Sequence, residues 1–322
     1  MKLKRVKEIE LIPTSPFAFD PTFHKPDHFP SSDTAWEQGT RWQTMLWQGE
    51  CLGLKFENKG TTQQPQINLH IFSERSLPKN ILDSLIIEIR YRYDLDSDLS
   101  DFIKNFKNDK QLGPIIKKWP GLRPMSPQGL YEFLVIGIML QNCTVKRSVS
   151  MTQTLFEKYG TLLEFDRKKL YCYWEPKVLE KISEEELRRL KIGYRAKSLK
   201  RINTPFSNCE IDELELRKKT KKEQREILLS LYGVGPATVG YILFEIFKHY
   251  DELSHISPWE QKIYSKLFFN QDPEKPVAVE KLLKYFERYG EYKQLAVHYL
   301  WEDLWWKRKN EKIPWLEKLI RL

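Results

Sequence analysis

Residues 228–247 read LLSLYGVGPATVGYILFEIF, and they decide the fold. Two apolar runs at helical spacing flank Gly233, Val234 and Gly235. The first helix is expected to end at Tyr232, because glycines let the backbone take positive φ and approach another surface closely. Pro236 suits the first position of a second helix, since its fixed φ is helical and its missing N–H would be unpaired there anyway. The amides at that new N-terminus point outward and favour a phosphate. An ordinary helix–turn–helix hairpin with a glycine cap would show the same G-x-G. The longer pattern L-x-G-V-G-P-x-T is more specific.

Outward from the hairpin the chain stays helical. SPQGLYEFLVIGIML places Ser126 as an N-cap and Pro127 at the first helical position, opening a buried apolar helix. Residues 182–202, 222–250 and 277–309 continue with apolar residues three and four apart. ELRKKTKKEQRE (215–226) reads as a solvated linker and helix start. The first hundred residues differ. LWQGECLGLKFENKG (46–60) and QINLHIF (66–72) alternate as antiparallel strands do, and residues 76–95 look helical. The expected organisation is an N-terminal α+β module over 1–105 and a helical part over 106–322.

Lys plus Arg number 53 against 44 Asp plus Glu, a net +9, which suits a polyanionic partner without naming one. With 41% hydrophobic residues the chain has enough apolar surface for a core. Cys51, Cys143, Cys172 and Cys209 show no clustered spacing. They read as reduced thiols of an intracellular protein, with no metal site. No apolar run reaches membrane-spanning length, so no membrane is expected.

Further segments carry a resemblance. LKIGYRAKSLKRI (190–202), LQNCTVKRSVSM (140–151), YRYDLDSDLSDF (91–102), WPGLRPMSPQGLYEF (119–133) and GEYKQLAVHYLW (290–301) stand in order around the hairpin. Together they resemble the helix-hairpin-helix DNA glycosylase superfamily, in particular eukaryotic-type 8-oxoguanine DNA glycosylases. The hairpin itself is similar to that of 3-methyladenine DNA glycosylase II. The fold implied is mainly α with an N-terminal α+β module, in the helix-hairpin-helix DNA glycosylase arrangement.

The resemblance also implies roles. A glycosylase flips its target base out of the duplex. Tyr194 falls on the position that wedges into the gap, and Asn142 and Arg147 fall where the orphaned base is contacted. Amides of Gly233, Val234 and Gly235 would hold phosphate, with Arg195, Lys146 and Lys197 adding charge. Tyr241 and Trp301 fall on the two faces of the flipped base. Val297 stands where oxidised-purine enzymes use a polar amide to read the base edge. A Tyr/Trp sandwich without that amide suits a cationic alkylated purine, since cation–π attraction contributes about 0.5–2 kcal/mol. Tyr241 and Trp301 also fit a plain reading as core aromatics.

Two catalytic parts depart from the family. The lysine nucleophile of bifunctional members is replaced by Ala237, whose methyl cannot form a Schiff base. The aspartate at a later helix start is replaced by Ser257, in Ser257-Pro258-Trp259-Glu260. This reads as a capping box, with Glu260 either restoring the lost carboxylate or only capping. Asp251 or Glu252 is the other candidate acid. The expected function is therefore a monofunctional base-excision N-glycosylase removing a damaged purine, alkylated or else oxidised. Its partner would be double-stranded DNA bearing a damaged base, bound by a monomer without cofactor. A catalytically silent damage-binding protein is the alternative.

Overall fold

The computed structural model describes residues 1–26 and 30–320. Strands β1 (Lys4–Leu11), β2 (Thr34–Glu37), β3 (Thr40–Trp47), β4 (Glu50–Asn58) and β5 (Ile67–Ser73) form one antiparallel sheet in the order β1-β5-β4-β3-β2. Alternation sets its buried face: Leu52, Leu54 and Phe56 of β4 point inward beside Leu69 and Ile71 of β5. Helix α1 (Phe19–Phe23) and helix α2 (Lys79–Arg92, through Leu85 and Ile89) close that core.

Helices α3 (Ser100–Phe106), α4 (Leu112–Lys118), α5 (Leu130–Leu140) and α6 (Val145–Tyr159) follow. Then β6 (Thr161–Phe165) and β7 (Lys168–Cys172) form a hairpin absent from the sequence expectation. Its turn residues Asp166 and Arg167 both take positive φ, 43° and 63°. The hairpin lies on the other face of the N-terminal sheet, where Phe165 fills the space above Gly53. A Cβ at Gly53 would sit 2.7 Å from that ring, so only glycine leaves room.

Next come α7 (Pro176–Glu180), α8 (Glu184–Leu187), α9 (Arg195–Ser207), α10 (Glu213–Leu216), α11 (Lys221–Ser230) and α12 (Pro236–Glu245). Helices α13 (Pro258–Phe269), α14 (Val279–Phe286), α15 (Lys293–Asn310) and α16 (Pro314–Glu317) complete the chain. The helices enclose two apolar cores. One joins α5, α6, α9, α11 and α12; the other joins α3, α4 and α13 to α16.

Three local expectations are corrected. Ser126 does not cap α5: Gly129 is the N-cap, and its N–H donates to Glu132 Oε2 at 2.7 Å. The segment before it is pulled aside because the Pro127 carbonyl accepts from Arg92 at 3.0 Å. Helix α11 ends at Ser230, not Tyr232, because Leu231 turns extended and enters the core. Finally, 215–226 is not wholly solvated. Arg217 reaches inward to Glu88 of α2, with N–O distances of 2.6 and 2.7 Å, and also pairs with Glu213. Glu88 accepts from Arg92 as well, at 2.6 Å, so two guanidiniums share one buried carboxylate between the N-terminal module and the helices.

Nearby, burial pushes the Glu132 carboxyl up to about 7, with Arg92 opposing that shift. Glu302 of α15 is likewise buried and pushed up to about 8. An acid whose folded pKa is raised stabilises the fold fully below its unfolded value, and that stability is lost as pH rises through the folded value. These two carboxyls are therefore expected to lower the unfolding free energy by on the order of 3 kcal/mol from about pH 5 to about pH 8.5, opposed below about pH 6.5 by His24, which burial holds down at about 4. Urea titrations at both pH values check this, and Glu302→Gln should remove much of the slope.

Candidate nucleic-acid interface and base pocket

The hairpin turn is built as its glycines require at one position. Gly233 has φ of 78°, which strains any other residue, while Gly235 caps α12 from open space with nothing within 4 Å of a Cβ. Val234 does not offer its amide outward: its N–H donates to Leu231 O at 3.2 Å and its side chain is buried. Gly233 stays exposed and Gly235 half-buried at the head of α12.

Beside the turn lies the loop between α5 and α6. Gln141 Nε2 donates to Gly233 O at 2.9 Å, tying that loop to the hairpin. Asn142, at φ 50°, donates to the Tyr194 hydroxyl at 3.3 Å, and that hydroxyl donates to Gln141 O at 3.3 Å. Thr144 caps α6, and Arg147 reaches across to Lys191 O at 2.5 Å. Lys191 and Gly193 take positive φ, 59° and 65°, turning the chain so that Tyr194 stands 48% exposed before α9. Asn142, Arg147, Tyr194 and the hairpin turn thus share one face. Arg195 does not join them as a free contact: it is buried, its guanidinium is spent on Gln141 O, and it lies 4.8 Å from the Tyr194 ring. It positions the loop. Gln141 has no signal in the sequence, because an isolated amide before a loop carries no distinguishing pattern.

Across from this face, α12 meets α13. The capping box forms as expected: Ser257 N–H donates to Glu260 Oε2 at 2.8 Å, and Glu260 N–H donates to Ser257 Oγ at 3.3 Å. The other oxygen, Oε1, accepts from Tyr241 at 2.6 Å and from Tyr264 at 3.5 Å. The carboxylate is therefore fixed between the hairpin helix and α13. Burial and the Glu260 charge push both tyrosine hydroxyls well above their usual range, so they remain donors. Tyr241 is 39% exposed, and its hydroxyl is held by Glu260.

Trp301 of α15 is half-buried, with Tyr264 edge-on at 6.0 Å and Trp259 edge-on at 5.4 Å. Trp259 is 38% exposed and is held by a hydrogen bond from Nε1 to Leu319 O at 3.0 Å. Tyr241, Glu260, Tyr264, Trp301 and Trp259 form one contiguous chain of contacts. Val297 is buried in the core one turn before Trp301, and offers an apolar backing rather than an exposed wall. The two other acids are engaged elsewhere: Asp251 pairs with Lys221, and Glu252 is buried against Arg225. Ala237 supplies no amine in the first turn of α12. Among the described residues, no group of three or more His, Cys, Asp or Glu is placed to hold a metal ion. Among those residues too, no helix is long and apolar enough to cross a membrane.

No family model matches the sequence. A DNA-3-methyladenine glycosylase of Bacillus subtilis is 23% identical over 229 residues, 69% of this chain and 73% of that protein. The 3-methyladenine DNA glycosylase of Archaeoglobus fulgidus superposes with a TM-score of 0.73 at 13% identity, covering 92% of this chain and 98% of that one. An 8-oxoguanine glycosylase/lyase of Clostridium acetobutylicum, in complex with double-stranded DNA containing cytosine opposite 8-oxoguanine, superposes at 0.67 with 19% identity over 96% of this chain and 99% of that one. The fold is that of the helix-hairpin-helix DNA glycosylases. Proteins named as 3-methyladenine glycosylases and one named as an 8-oxoguanine glycosylase/lyase are thus both among the similar proteins.

Proposed function

We propose that this protein is a base-excision DNA glycosylase that removes an alkylated purine by hydrolysis alone. The observation that carries the reading is the fixed carboxylate of Glu260, set between Tyr241 and Tyr264 beside Trp301. The hairpin turn and the Asn142–Arg147–Tyr194 face hold duplex DNA, and Tyr194 fills the gap left by the flipped base. The base enters beside the exposed ring of Tyr241 and stacks near Trp301. An N-alkylated purine carries positive charge, which aromatic faces attract, whereas this pocket lacks an amide at Val297 to read an oxidised base edge.

The C1′–N bond then breaks with its electron pair leaving on the base, which departs neutral if it was cationic. The sugar becomes oxocarbenium-like, and Glu260 stabilises that charge where an aspartate is usual. Water adds to C1′ and releases a proton, giving an abasic site. With Ala237 in the nucleophile position no Schiff base forms there, so strand cleavage by that route is not expected. The Ser257 hydroxyl caps α13 and holds Glu260 in place.

Trp301→Ala tests the pocket. It is expected to weaken binding to a duplex bearing a methylated purine by roughly 10-fold relative to undamaged duplex. Equal loss on both duplexes, measured by fluorescence anisotropy, would mean Trp301 only supports the fold.

A further inference from the structure

The exposed ring of Tyr232 lies beside the hairpin turn, 40% accessible. Two cations from α9 stand over it: Arg201 at 4.3 Å from the ring centroid and Lys197 at 5.8 Å. Lys197 and Arg201 are four residues apart on one helix, so they share a face. Four basic residues of this region are neutralised: Lys200 by Glu180, Lys221 by Asp251, Arg225 by Glu252, and Arg188 by Glu184. Among the described residues, neither Lys197 nor Arg201 forms an ion pair with a carboxylate, so both charges stay available above the ring.

Two like charges gathered over one ring repel each other, and the aromatic face offsets only part of that cost. An anion seated between them would remove the repulsion. Gly233, directly after Tyr232, leads into the open N-terminus of α12, so this charge sits next to the turn. We infer that Lys197, Arg201 and Tyr232 form a second phosphate clamp. It takes a backbone phosphate of duplex DNA adjacent to the one met by the hairpin amides. The inference rests on the proposed DNA-binding function and adds to the general charge expected of Lys197 a defined site with Arg201 and the Tyr232 ring. Tyr232 acts as a platform that holds both cations in place, so its ring matters and its hydroxyl does not.

Salt dependence is the readout, because a phosphate contact releases counterions and a structural residue does not. Anisotropy titrations of undamaged duplex over a salt series compare wild type with the Lys197→Gln/Arg201→Gln double variant. The slope of log affinity against log salt is expected to fall by about 1, with affinity about 10-fold weaker near 0.15 M salt. Tyr232→Leu is expected to lose roughly 3-fold in affinity and Tyr232→Phe to be unchanged. An unaltered slope in the double variant, with wild type binding duplex normally, overturns the clamp and leaves the glycosylase reading standing. Failure of wild type to bind duplex at all overturns both. Unfolding midpoints of the variants separate either result from misfolding.

Discussion

Glu260→Gln is expected to cut single-turnover base release by about 100-fold or more while leaving the fold intact, since charge aimed at a developing cation is worth several kcal/mol. The structure makes this substitution discriminating. Glutamine is accepted at the third position of a capping box. Its amide oxygen can still accept from Ser257 N–H, the bond now made by Oε2 at 2.8 Å. Its amide nitrogen would meet Tyr241, whose hydroxyl can accept as well as donate. Helix α13 therefore keeps its cap and loses only the negative charge. The assay follows abasic product on a duplex carrying a methylated purine, with the thermal midpoint measured alongside. A rate unchanged by Glu260→Gln reduces Glu260 to a helix cap.

The second large effect concerns stability. Glu88→Ala is expected to cost about 3 kcal/mol, the low end for breaking a buried ion pair, because each of two guanidiniums loses a close carboxylate but keeps a second. Glu88 is 3% exposed and accepts from both Arg92 and Arg217. Without it, Arg92 keeps Glu132 at 3.7 Å and the Pro127 carbonyl at 3.0 Å, and Arg217 keeps Glu213. Arg217 also lies 3.8 Å from the Tyr91 ring centroid, so it cannot withdraw to solvent without giving up that contact. Because Glu88 is on α2 and Arg217 follows α10, the loss falls on the junction of the N-terminal module with the helices. Urea unfolding gives the value, and a cost under about 1 kcal/mol would place the network in effective contact with water.

Much of the fold was legible because its signals are local. The alternation in β4 and β5, the apolar run of α5, and Gly233-Val-Gly235-Pro236 each state their own structure. The β6–β7 hairpin was passed over although TLLEF and KKLYC alternate; two short strands inside a helical region are easily absorbed into it. Arg217 was misread because its partner, Glu88, is 129 residues away and nothing in a charged run reports which member turns inward. In the candidate site, Tyr241, Glu260 and Trp301 were named from the sequence. Their connection through Tyr264 and Trp259 was not, since it depends on how α12, α13 and α15 pack. Arg195 and Val234 were assigned outward roles that the structure spends internally, on Gln141 O and Leu231 O. Burial of one cation among several similar ones is decided by tertiary contacts rather than by residue type.

The most direct test is a single-turnover reaction of the wild-type protein with duplexes bearing a methylated purine, hypoxanthine or 8-oxoguanine. Each product is split and read with and without alkali. The expected result is strand breakage on the methylated-purine duplex only after alkali, marking an abasic site left by base removal without lyase chemistry. Breakage without alkali, release of 8-oxoguanine in preference to the methylated base, or no abasic product from any duplex would contradict it.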